Sequence, residues 1–261
     1  MEQAAIDISQ LRKTLDGQNF VFQGVNLQIP KGKITCIIGF SGTGKSVLLK
    51  HILGLLAPSE GKISVLGQDL SVLGALDKIE FRKHFGVLFQ NAALFDDMTV
   101  LENVSFPLRE HRSYLSEREI IETATARLKL VKLDEVHYHK LPNELSGGMR
   151  KRVGLARALS NDASILLMDE AYSALDPLIR TDMQTMLLDL QLELKKTIVF
   201  ITHDLDEALT LGDKIVILRD GSIVQQGNSQ DILLNPADDY ITRFVRDVNR
   251  GRFLKIQAIM S

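Results

Sequence analysis

The chain has 261 residues, 45% of them hydrophobic and 25% charged, which suits one large domain or a core with a subdomain. A net charge of −2 excludes the basic balance of a protein held on nucleic acid by bulk charge, and the lone Cys36 excludes an internal disulfide. No apolar run approaches the ~20 residues that span a bilayer, and Met1-Glu2-Gln3 lacks the basic and apolar regions of a signal peptide, so a cytoplasmic protein is expected.

Residues 4–29 alternate apolar and polar side chains, from Ile6, Ile8 and Leu11 to Phe20, Phe22, Val25, Leu27 and Ile29. Period two with Asp16-Gly17 between the runs predicts a hairpin or small antiparallel sheet. Pro30-Lys31-Gly32 turns the chain into Lys33-Ile34-Thr35-Cys36-Ile37-Ile38, a short apolar run rich in β-branched residues that predicts a buried strand. Gly39-Phe40-Ser41-Gly42-Thr43-Gly44-Lys45-Ser46 follows and fits the phosphate-loop pattern G-x-x-x-x-G-K-[ST]. Val47 to Leu53 then reads as a helix. The three glycines let backbone N–H groups approach phosphate oxygens. The helix start adds the positive end of its dipole. Lys45 can reach the β- and γ-phosphates of a nucleotide, and the Ser46 hydroxyl can ligate Mg²⁺.

Two further strands are predicted at residues 62–67 and 85–90. From 91 to 162 helical periodicity and charge dominate, which predicts an inserted helical subdomain. A capping box at Thr99 and Glu102 opens a helix that Pro107 should end, and a second box at Ser116 and Glu119 opens another with Ile120, Ala124, Leu128 and Val131 on one face. Strands then alternate with helices again: Ser164 to Met168, a helix from Pro177, Thr197 to Ile201, and Ile215 to Leu218 before the Asp220-Gly221 turn. That alternation implies a mostly parallel, doubly wound α/β sheet.

A phosphate loop on such a sheet needs a carboxylate from a neighbouring strand end to hold the Mg²⁺ shell. Asp169 ends the strand at 164–168, and Glu170 after it could polarise an attacking water. Leu145-Ser146-Gly147-Gly148 heads a helix over 149–159, a second helix start able to face an anion.

With these motifs in place the chain resembles the ATP-binding cassette (ABC) ATPases over nearly its whole length. The phosphate loop, Gln90 of the Q-loop, the signature Leu145-Ser146-Gly147-Gly148, the Asp169-Glu170 strand end, the D-loop Ser173-Ala174-Leu175-Asp176 and the switch histidine His203 occur in that family's order. The resemblance implies a RecA-like P-loop core at 1–90 and 163–247, with an N-terminal antiparallel β subdomain. It also implies a helical subdomain at 91–162 and a tail at 248–261. It assigns ATP and Mg²⁺ as cofactors, with Ser46, Gln90 and Asp169 on the metal. Glu170, His203, Gln90 and Lys45 carry the hydrolysis, and residues 39–46 with Val47 hold the phosphates. Ser146, Gly147 and Gly148 contact the γ-phosphate held by the other subunit of a homodimer, and Asp176 lies along the seam. His203 touches the γ-phosphate. Leu15 falls where an aromatic residue usually stacks on adenine, and it offers apolar contact without a π-face. Ala171-Tyr172 replaces the Pro-Thr common after the glutamate.

The resemblance implies an integral membrane permease as partner, an accessory cytoplasmic subunit and a periplasmic substrate-binding protein, no nucleic acid, and a cytoplasmic position peripheral to the inner membrane. Two subfamilies compete. The runs 41–51, 89–100 and 106–111 resemble the ATPases of Mla-type phospholipid transporters. The runs 168–180 and 203–208 resemble the glycine betaine/proline importers. The segment after Gln90 grips the membrane subunit in this family, so it is weighted for substrate and the expectation is phospholipid transport in a Gram-negative envelope, with osmolyte import as the alternative. A non-transport ABC ATPase acting on nucleic acid or ribosomes is the remaining reading.

Overall fold

The computed structural model describes residues 3–14, 19–40, 42–112, 114–246, 248 and 253. The chain divides into two units, Met1–Lys78 with Thr197–Ser261, and Ile79–Lys196.

In the first unit, β1 (Ala4–Thr14) and β2 (Phe20–Pro30) form the expected antiparallel pair, with Ile6 opposite Ile29 and Ile8 opposite Leu27. The Asp16-Gly17 turn lies outside the described residues. β4 (Glu60–Val65) joins the other edge of β1, and the short β5 (Gln68–Asp69) follows it. Alternation puts Ile6, Ile8, Leu11, Phe22, Val25, Leu27, Ile29, Ile63 and Val65 in the core. A second layer carries β3 (Ile34–Ile38) between β8 (Thr197–Thr202) and β9 (Lys214–Arg219), parallel to both. Strands parallel on both sides read as unbroken apolar runs, and every residue of β3 and β8 is buried. Cys36 lies inside β3, where burial pushes its thiol pKa well up, as suits a small core side chain. β10 (Ser222–Gly227) returns antiparallel through the Asp220-Gly221 turn. The helices α1 (Lys45–Ile52), α7 (Leu205–Leu211), α8 (Ser229–Leu234) and α9 (Asp239–Phe244) also belong to this unit.

The second unit pairs β6 (Phe85–Leu88) in parallel with β7 (Ile165–Asp169). Its longer helices among the described residues are α3 (Val100–His111), α4 (Glu117–Leu130), α5 (Gly147–Ser160) and α6 (Pro177–Leu194). Both capping boxes form, at Thr99 with Glu102 and at Ser116 with Glu119. Ile120, Ala124, Leu128 and Val131 are buried as the spacing predicts. Pro107 does not end α3. The proline gives up its own donor, but Val100, Val104 and Leu108 bury one face on either side of it and carry the helix to His111. The division between the units falls inside α2 (Ala75–Arg82), a helix that the sequence reading misses because Phe81 is its only buried residue. No helix among the described residues is long and apolar enough to cross a membrane.

Candidate functional site

β3 delivers the chain into the glycine loop, and the backbone turns through Gly42 at φ 84° and Gly44 at φ 96°, a region L side chains rarely enter. Gly44 is the N-cap of α1 and brings no capping side chain, and the first turn carries no acidic residue. The helix therefore presents backbone donors and the positive end of its dipole to the loop. Lys45 is 5% exposed. Its ammonium donates to the carbonyls of Gly39 at 2.6 Å and Phe40 at 2.9 Å, and the Thr43 hydroxyl donates to Phe40 at 2.9 Å. Two carbonyl dipoles orient the cation. Backbone donors, a helix start and a fixed cation fit a polyphosphate. Ser46 is exposed and Val47 half-buried on the first turn of α1. Ser41 and Leu15 lie outside the described residues.

Ile38 pairs with Thr202, so Gly39 and the exposed His203 leave parallel strands at the same edge. Asp204 then caps α7 by accepting from the Glu207 N–H at 3.1 Å, and its own N–H donates to the Thr202 hydroxyl at 3.0 Å. The exposed Phe40 meets Tyr240 and Phe244 edge-on at ring separations of 6.4 and 5.9 Å, and the Arg219 guanidinium lies 4.3 Å from the Tyr240 ring. Sequence reasoning misses this cluster, since α9 lies far along the chain and no local pattern points to the loop.

In the second unit Leu88 pairs with Met168, so Gln90 and Asp169 also leave parallel strands at one edge. Gln90 is exposed, and its carbonyl accepts from the Lys151 ammonium. Asp169 and Glu170 are half-buried. Glu170 sits at φ 47°, left-handed for a non-glycine residue. The Ser173 hydroxyl and N–H both donate to its carbonyl, at 2.9 and 3.2 Å, and hold it there.

Ser146 caps α5 by accepting from the Met149 N–H at 3.2 Å, with Gly147 exposed and Gly148 half-buried beside it. Arg150 donates to the Leu145 carbonyl at 2.6 Å and steadies the turn before the cap. Asp176 caps α6 by accepting from the Ile179 N–H at 3.0 Å. Both residues have structural work in this chain alone, and both are exposed.

A family model described as ABC transporter matches residues 22–173. The chain is 47% identical over 241 residues to the glycine betaine/carnitine transport ATP-binding protein GbuA of Listeria monocytogenes, covering 91% of this chain and 60% of that one. It is 45% identical to the trimethylamine N-oxide transport system ATP-binding protein TmoW of Pelagibacter ubique, covering 91% and 70%. It is 44% identical over 250 residues to the glycine betaine/proline betaine transport system ATP-binding protein ProV of Escherichia coli, covering 95% and 61%. The chain thus spans about 60% of the length of GbuA and ProV. Among solved structures, cbiO1 of Clostridium perfringens, part of the ABC transporter complex cbiONQ, superposes at TM-score 0.83 with 28% identity, covering 99% of each chain. The dimeric bacterial ABC transporter cassette MJ0796 gives 0.78 with 34% identity, covering 86% of this chain and 98% of that one.

These matches correct the phospholipid expectation. The betaine-type relatives align with 91–95% of the chain, so they include the half that resembled Mla-type ATPases. The runs behind that expectation, 41–51, 89–100 and 106–111, sit on the glycine loop with α1, on the segment around Gln90, and in α3.

Proposed function

The chain belongs to the ABC transporter family, and we propose that it is the ATP-hydrolysing subunit of an importer for betaine-type solutes, small molecules carrying a quaternary ammonium. The observation that carries the reading is Lys45, buried and held by the Gly39 and Phe40 carbonyls at the uncapped start of α1. The substrate class rests on relatives named for glycine betaine, carnitine and proline betaine at 44–47% identity.

In this reading residues 39–46 and Val47 wrap the phosphates of ATP, and Lys45 binds the β- and γ-phosphates. Ser46, Asp169 and Gln90 would hold Mg²⁺, which would offset charge on those phosphates. Glu170 takes a proton from the attacking water, and His203 contacts the γ-phosphate. Ser146, Gly147 and Gly148 of a second copy complete the pocket, with Asp176 along the seam of a head-to-tail homodimer. Leu15 gives adenine an apolar contact. The dimer closes on MgATP, opens after hydrolysis, and drives a membrane permease from the cytoplasmic face, with a periplasmic binding protein and an accessory subunit as further partners.

The test is ATPase activity of the chain co-purified with its permease in vesicles. Glycine betaine together with its binding protein should stimulate MgATP hydrolysis, and Lys45→Ala should abolish it. Hydrolysis indifferent to betaine would refute the substrate class. Hydrolysis indifferent to Lys45→Ala would refute the phosphate-loop role.

A further inference from the structure

Gln90 stands on irregular chain beyond β6, and something must fix where it points. The contacts that do so come from α5. Lys151, 5% exposed, donates to the Gln90 carbonyl. Arg157 donates from Nη1 to the Ala93 carbonyl and from Nη2 to the Ala92 carbonyl, both at 2.7 Å. A guanidinium spans two successive carbonyls with donors fixed in a rigid planar fork, whereas an ammonium must aim its donors from a flexible stem.

Those carbonyls are presented by an uncommon backbone. Ala92 and Ala93 are both left-handed, at φ 59° and 48°, with no glycine to ease the turn. Such a pair persists only when its surroundings over-determine it. Between the two cations on α5, Gly154 lets the segment lie against the helix: a Cβ there would stand 3.1 Å from the Ala92 Cβ and 2.7 Å from Leu88. The far end of the segment is tied by the buried Asn103. Its amide accepts from the Phe95 N–H at 2.9 Å and donates to the Phe95 and Met98 carbonyls at 3.1 and 3.0 Å. The Phe95 ring lies 5.9 Å from the Arg157 guanidinium.

We infer that Arg157 and Lys151 are positioning residues for Gln90, holding the backbone of residues 90–93 from the same helix that Ser146 caps. One element of 14 residues thereby carries the signature at its start and the anchor of the Q-loop on its side. A shift of α5 moves both together. The inference rests on the proposed ATPase function for its consequence, but the holding itself can be measured without nucleotide.

The full-length chain is compared with Lys151→Met, which keeps the stem, and Arg157→Lys, which keeps the charge and loses the fork. Amide hydrogen exchange over 90–95 should rise roughly tenfold or more, as loss of a charge-assisted bond implies, while β7 and the rest of α5 keep their protection. In Lys151→Met, kcat for MgATP should fall several-fold with KM within about twofold, the split expected when positioning rather than binding is lost. In a Gln90→Ala background Lys151→Met should cause no further fall, because residues acting through one another are non-additive. Unchanged exchange over 90–95, or a rise spread evenly over the second unit, overturns the inference. An equal loss of kcat with and without Gln90 overturns it too. If the unaltered chain hydrolyses no MgATP, the proposed function falls, and the exchange result alone decides whether α5 holds the segment.

Discussion

Replacing Gly44 by alanine separates two physical effects in the phosphate loop when it is set beside Gly42→Ala. Both glycines have positive φ, 96° and 84°, and a left-handed conformation costs an L-residue about 1–2 kcal/mol. At Gly42 a Cβ would meet nothing within 4 Å among the described residues. At Gly44 it would stand 3.0 Å from the Phe22 ring and 3.1 Å from the Val21 side chain. Phe22 is fully buried and has no room to yield, so overpacking adds about 1–3 kcal/mol. Gly42→Ala should therefore destabilise by about 1–2 kcal/mol and Gly44→Ala by about 2–5 kcal/mol. With roughly 2–4 °C of Tm per kcal/mol for a chain near this size, the two should differ by several degrees. Thermal unfolding by circular dichroism without nucleotide is the assay. Equal Tm values, or a larger drop for Gly42→Ala, would show that the Phe22 contact does not constrain the loop.

Glu170→Gln should keep MgATP affinity and lower turnover by about 10²-fold or more, the scale of a lost general base; turnover near the unaltered rate would remove Glu170 from that role. Ser146→Asp should fold with Tm close to the unaltered chain, since aspartate caps a helix as well as serine, yet hydrolysis should fall because a second carboxylate faces the anion. If hydrolysis survives, Ser146 does not meet the phosphate. His51 is buried, and its Nδ1 is hydrogen-bonded at 2.7 Å to the Leu56 carbonyl. Burial lowers its pKa from the ordinary value near 6.5, Lys13 adds to the lowering, and the Leu56 bond opposes it. A depressed folded pKa gives stability that is present above the unfolded value and lost as pH falls below it. Tm should drop between pH 7.5 and 5.5, and His51→Asn should flatten that slope; an unchanged slope would assign the pH response elsewhere.

The elements legible in the sequence are those whose cause is local. β3 and β8 announce themselves as buried apolar runs, and the boxes at Thr99 and Ser116 need only four residues each. The glycine loop before α1 is legible because its pattern lies in eight consecutive residues. Pro107 misleads because a local rule meets tertiary burial and burial wins. α8 and α9 are short, with two buried residues and one, too few to make a period. The grip of Arg157 on Ala92 and Ala93, and of α9 on Phe40, depends on segments distant in sequence. No spacing rule could have found either.

The cap at Ser146 uses a lone pair on the hydroxyl oxygen, so the hydroxyl proton still has a direction to give. Its rotamer is already set by the Met149 N–H, and an arriving anion need not order it, sparing about 0.5–1.5 kcal/mol of side-chain entropy. Asp176 is spent on its cap in the same way, but a carboxylate can only accept. The starts of α5 and α6 thus offer opposite hydrogen-bonding polarity, one giving and one receiving. Two identical surfaces meeting face to face can satisfy both without either copy changing its sequence.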